Sequence, residues 1–183
     1  MILHVDRQFD IPFPGGVDGG IAFIRDVKKS LENVSFIRNL RIEGNEVFAH
    51  LRIEVPFLGE RLLDFRSTLE PVIDGANLIA QPLEGKFWAA VNGEGRVSST
   101  GATSSSNDSS ASLLDPKNAP DGHGSLRSSI HYHLRAEVHL ELPVADKWGG
   151  RAFAKMAEAT AQRTIERMAQ EFPIGVSKGM PKP

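Results

Sequence analysis

The sequence predicts an α+β fold, a single domain in which a curved antiparallel sheet of six to seven strands wraps around a long C-terminal helix. Three observations carry this reading. Between residues 146 and 172 apolar side chains recur three or four apart, at Phe153, Ala157, Ala161, Ile165, Met168 and Phe172, which is the spacing of one helical stripe. Nearly everything upstream alternates apolar and polar residues with the period of two that marks half-buried strands. Because each strand has one apolar face, the sheet needs a cover on one side only, and the terminal helix supplies it.

Taken in order, Leu3, Val5, Phe9 and Ile11 alternate with polar residues as a first strand, in which Arg7 falls on the apolar face. Pro12, Pro14, Gly15 and Gly16 are expected to break it. A short helix follows from about Asp18, its expected cap, to Leu31, with Ile24, Val27 and Leu31 on one face. The glycines at its start match neither a dinucleotide fingerprint nor a phosphate loop. Phe36 to Ile42 and Val47 to Val55 form a hairpin across Gly44-Asn45. Leu63 to Leu69 is the next strand, followed by a turn from Pro71 to Gly75. Ala76 to Leu83 and Lys86 to Val97 come next, and Gly93 and Gly95 inside the second imply a bulge or bend. Residues 98–127, rich in serine and glycine, read as a flexible insertion. Ile130 to Leu142 is the clearest strand. The long helix then starts near a capping Asp146 and stops where Pro173 and Gly175 interrupt it.

Composition narrows the function classes. The formal net charge of −2 with 24% charged residues offers no basic excess for nucleic acid or an anionic membrane surface. There is no cysteine, which removes disulfides, thiolate metal sites and a cysteine nucleophile. The start of the chain lacks the pattern of a signal peptide, and no apolar run reaches the roughly 20 residues of a membrane-spanning helix. The expectation is a cytoplasmic protein with no membrane insertion, no nucleic-acid partner and no cofactor.

The order of strand, short helix, antiparallel meander and long final helix resembles the helix-grip fold of the START-like, or SRPBCC, superfamily. At finer grain, Phe57-Leu58-Gly59-Glu60, Gly85-Lys86-Phe87-Trp88-Ala89 and the run from Lys147 to Met156 are similar to segments of a small family of uncharacterised proteins from Deinococcus-type bacteria. The superfamily resemblance implies a cavity between sheet and helix that holds an apolar or amphipathic small molecule. Ala157 and Ala161 on the helix stripe, beside Thr160 and Thr164, fit such a cavity because small inward residues leave room. They fit close helix-on-sheet packing equally well.

Arg7 and Arg38 stand where alternation asks for apolar residues. A buried guanidinium needs a counter-charge, so both are candidate ligand contacts, the alternative being a side chain that reaches water from the sheet edge. Ser67 and Tyr132 complete the candidates for the cavity wall. His131 and His133 make a partial metal-ligand pair on one strand face, but Arg135 and Glu137 share that face. His139 lies roughly 20 Å further along at strand rise, so a solvated face is the preferred reading and no metal is assigned. His50 joins them only if its strand is a neighbour. No hydrolase elbow or zinc-protease motif occurs, and no catalytic residue is assigned. The first functional reading is non-catalytic binding of an apolar or amphipathic small molecule. The second is a cyclase- or hydratase-type enzyme in the same cavity, with Arg7 or Arg38 polarising a carbonyl. The third is a pocketless structural or interaction module, homodimeric through a sheet edge.

Overall fold

The computed structural model describes residues 1–55, 59–99, 128–141 and 150–182, apart from the side chains of Arg151 and Phe153. The order is β1 (Ile2–Phe13), α1 (Val17–Arg25), α2 (Val27–Leu31), β2 (Ile37–Glu43), β3 (Glu46–Val55), β4 (Gly59–Val72), β5 (Gly75–Ala80), β6 (Phe87–Ser99), β7 (Ser128–Leu140) and α3 (Gly150–Gly179). The strands form one seven-stranded sheet in the order β1-β7-β6-β5-β4-β3-β2. All pairings are antiparallel except a short parallel contact of β4 with β6 at Asp64–Trp88 and Phe65–Ala89. That contact arises because β5 is short, so β6 closes onto β4 beyond its end. The result is a helix-grip architecture, with α3 across the concave apolar face.

The strand readings hold in type and differ at their ends. Pro12 lies within β1, paired with Ser129, which is tolerated because β1 is an edge strand. Pro71 likewise remains paired, opposite Ala76. The first helix is two: the chain breaks at Asp26, whose side chain accepts a hydrogen bond from the Lys29 amide to cap α2. Asp18 does not cap α1; Gly16 occupies the cap position without a side-chain bond, and Asp18 sits in the first turn. The serine-rich stretch expected to be a flexible insertion lies outside the described residues from 100 to 127, as does the expected Asp146 cap.

The largest correction concerns α3, which runs through Pro173 and Gly175 to Gly179. Proline removes one backbone donor from the helix, but the tertiary contact on the far side compensates. A Cβ on Gly175 would come within 2.6 Å of the Val34 Cα, and one on Gly179 would strike the Lys29 carbonyl. The final turns of α3 therefore press directly on α2 and the α2–β2 connection, and Val176 there is fully buried. Gly175 is a close-approach residue, not a stop.

Gly175→Ala separates the two roles. Helix propensity alone predicts stabilisation by up to about 1 kcal/mol, whereas overpacking against Val34 predicts a loss of about 1–3 kcal/mol. We expect the loss, read as a lower denaturant midpoint at unchanged m-value; a rise in the midpoint would show that the contact is not tight.

Candidate functional site

Alternation along the strands directs Leu3 and Val5 of β1, Leu63 and Phe65 of β4, Ala89 and Val91 of β6, and Ile130 and Val138 of β7 to the concave face, all buried. On α3, Ala157 and Ala161 are each 1% exposed, and Gln162 reaches across to donate to the His4 carbonyl at 2.9 Å. Methyl side chains let the helix lie close to the sheet there. Further along, Ile165, Met168, Ala169 and Phe172 roof a cavity of about 120 Å³ between α3, the two short helices and the middle of the sheet. The floor there is bare: Gly93 and Gly95, two apart on β6, present no side chain. Gly95 is required by its neighbours, since a Cβ would lie 2.9 Å from the Ile24 side chain and 3.3 Å from the Tyr132 ring.

The cavity wall is apolar, and its polar members are mostly engaged elsewhere. Ser30 donates to the Val27 carbonyl. Asn77 accepts from Arg96 at 2.7 Å. His133 pairs with Asp6 at 2.8 Å and Glu94 with Arg135 at 2.7 Å. The exception is Tyr132, whose ring lines the cavity and meets Phe172 edge-to-face at 5.4 Å. Its hydroxyl is buried without a hydrogen-bond partner, and burial pushes its pKa well above the ordinary phenol value. An unpartnered buried hydroxyl costs roughly 1–3 kcal/mol, so a native protein that keeps one at a cavity wall has a reason to do so.

The other sequence-predicted candidates are not gathered there. Arg7 stands opposite Leu134 on the edge strand but is exposed, its guanidinium donating to the neighbouring Asp6 carbonyl at 2.9 Å. Arg38 is also exposed and donates to the Ile37 carbonyl at 3.0 Å. Ile37, not Arg38, is buried, because the register shifts between Arg38 and Arg41 and Asn39 takes a positive φ of 53°. Ser67 is fully buried and satisfied by the Val91 carbonyl at 2.9 Å. Thr160 and Thr164 turn their hydroxyls onto the carbonyls one helical turn back, Met156 and Thr160. Ala157 and Ala161 belong to the tightly packed half of the helix. The residues that roof the cavity were visible as the continuation of the same stripe, and Gly93 and Gly95 were the one local sign of a cleared floor.

The histidines occupy the convex face, each against a carboxylate: His131 with Asp10, His133 with Asp6, and His139 with Glu137 at 2.6 Å. Trp88 also faces outward and stacks on His139 with ring centroids 3.7 Å apart. His50 on β3 pairs with Asp64 at 3.2 Å, and in the strand order β6, β5 and β4 lie between β3 and β7, so it joins none of them. Among the described residues no helix is long and apolar enough to cross a membrane.

The fold is shared with solved structures of low sequence identity. A conserved protein from Geobacillus kaustophilus superposes with a TM-score of 0.50 at 14% identity, covering 97% of this chain and 98% of that one. The Zhui aromatase/cyclase from Streptomyces sp. R1128 gives 0.54 at 13% identity, covering 98% of this chain and 94% of its own. No curated protein matches the chain in sequence. The family model described as "Protein of unknown function (DUF3809)" matches residues 8–170, from within β1 to far along α3, and the chain belongs to that family.

Proposed function

We propose that the protein is a non-catalytic binder of an apolar or amphipathic small molecule, held between the sheet and α3. The observation that carries this is the apolar cavity of about 120 Å³, whose lining includes Tyr132 with its buried, unpartnered hydroxyl. Apolar cavities of about 150 Å³ admit a molecule the size of benzene, so the resting cavity suits a ring-sized group, larger ligands requiring movement of the roof. Tyr132 is the ligand contact in this reading, with Met168, Ala169 and Phe172 as its apolar partners. Kinship with the START-like superfamily is part of the same reading.

The likeness to an aromatase/cyclase motivates a second reading, a cyclase- or hydratase-type enzyme in the same cavity. In its favour, Tyr132 is a buried acid that stays protonated. Against it, an acid needs a base within reach of the same substrate, and the carboxylate and imidazole nearest the cavity, Glu94 and His133, already have partners on the convex face in Arg135 and Asp6. Arg7 and Arg38 are exposed and supply no carbonyl-polarising charge to the interior. Binding without catalysis is the reading these residues support better.

Ala169→Phe places a ring where the cavity now lies. Benzene binding, followed by calorimetric titration, should weaken at least about 10-fold, the equivalent of ~1.4 kcal/mol, while the circular dichroism spectrum and melting temperature are retained. Undiminished binding by a folded variant would move the site elsewhere.

Protonation of Tyr132 gives an independent check, because it is the sole tyrosine of the chain. Its folded pKa is raised and its unfolded value is about 10. Below pH 10 both states keep the proton; above it the unfolded chain releases the proton and the folded chain does not, so stability falls as pH rises from 10. Tyrosinate absorbance should therefore appear only together with unfolding, and Tyr132→Phe should flatten the alkaline slope of stability. A titration near pH 10 in the folded protein would show the hydroxyl to be solvated.

A further inference from the structure

We infer that the ligand of this cavity is electrically neutral and carries a hydrogen-bond acceptor, of the carbonyl type, that pairs with the Tyr132 hydroxyl. The inference deepens the binding reading and rests on it. Its first ground is the absence of free charge around the void. Among the described residues no lysine or arginine lines it, and the two other ionisable residues at the wall, Glu94 and His133, turn their side chains to the convex face, against Arg135 and Asp6 at 2.7 and 2.8 Å. A carboxylate or ammonium brought between Phe172, Met168 and Leu78 would be desolvated with nothing to compensate it.

The second ground is the donor inventory. Ser30 donates to the Val27 carbonyl, and Asn77, a half-buried residue, accepts from Arg96 and is not among the fully buried unpartnered groups. Tyr132, one of the lining residues, has a buried hydroxyl with no partner among the described residues, and its ring is held by the edge-to-face contact with Phe172 and by the room that Gly95 leaves for it. A phenol can donate or accept, and because burial disfavours the phenolate this one stays protonated and able to donate. A wholly apolar ligand would leave the hydroxyl unsatisfied. One bearing a carbonyl oxygen would accept its proton and remove that cost.

The test compares three one-ring probes of similar shape, toluene, benzaldehyde and benzoate, on the wild type and on Tyr132→Phe, by calorimetric or NMR titration. Phenylalanine keeps the ring and its contact with Phe172, so the variant is expected to fold, which its near-ultraviolet spectrum and melting temperature verify. In the wild type, toluene and benzaldehyde are expected to bind and benzoate to bind at least about 10-fold more weakly than benzaldehyde, a ratio equivalent to ~1.4 kcal/mol. Tyr132→Phe should weaken benzaldehyde by roughly 3- to 10-fold, the range of one buried neutral hydrogen bond, and leave toluene within about 2-fold. The difference between the two ligands in this cycle, not either affinity alone, isolates the hydroxyl's contribution. Equal effects on toluene and benzaldehyde, or benzoate binding as tightly as benzaldehyde, would overturn this inference while leaving the cavity reading intact. If neither neutral probe binds the wild type, the cavity reading itself fails, and this inference with it.

Discussion

The structure depends on how closely α3 can lie against what it covers, and that distance is set by side chains too small to act as spacers. At one end Ala157 and Ala161 let the helix settle on the sheet, with Gln162 tied to the backbone of β1. At the other, Gly175 and Gly179 let it touch the backbone of the α2–β2 connection and of α2. A stiff helix held close at both ends cannot sink further in its middle. There Ile165, Met168 and Phe172 span a stretch of β6 where Gly93 offers no filling side chain, and a cavity remains. Interiors normally close such gaps to crystal-like density. This one stays open because the surrounding contacts are already at their limit.

The same geometry explains the chemistry of Tyr132. Gly95 makes room for the ring, Phe172 holds its edge, and neither offers a polar atom to the hydroxyl. On the opposite face of the same strand, alternate residues are paired with β1 and β6, as His133 is with Asp6 and Arg135 with Glu94, or with each other, as His139 is with Glu137. The sheet thus separates two environments one side chain apart. Its convex side is wet and charged, where paired groups gain little and cost little. Its concave side is dry, and a single hydroxyl there carries a penalty that a suitable ligand would remove.

Much of this was legible in the sequence. The alternation of β1, β3, β4 and β7 identified the buried faces, and the 3.6-residue stripe identified the helix that covers them. What escaped were the places where tertiary contacts override local signals. Pro173 and Gly175 read as a helix stop because proline lacks a donor and glycine favours helix ends, but the glycine is needed where α3 meets Val34. Arg38 read as inward because alternation was counted through Phe36 and Leu40, whereas the positive φ at Asn39 and the register shift beyond it turn the strand over. The cavity was expected beneath Ala157 and Ala161, since small residues suggest space. Small residues equally permit close approach, and only the three-dimensional path of the helix decides between them. Tyr132 was recognisable as an inward residue of β7, yet its lack of a partner depends on what β6 and α3 place around its ring.

The binding reading requires an accessible apolar void beneath the middle of α3. The most direct measurement is a crystal structure of the ligand-free protein under xenon pressure, because xenon enters dry apolar cavities and scatters strongly. The account predicts a xenon site between Met168, Phe172 and the glycine floor of β6, within contact of the Tyr132 ring. Well-ordered density with those side chains packed together, no xenon between them and the Tyr132 hydroxyl bonded to protein would contradict it.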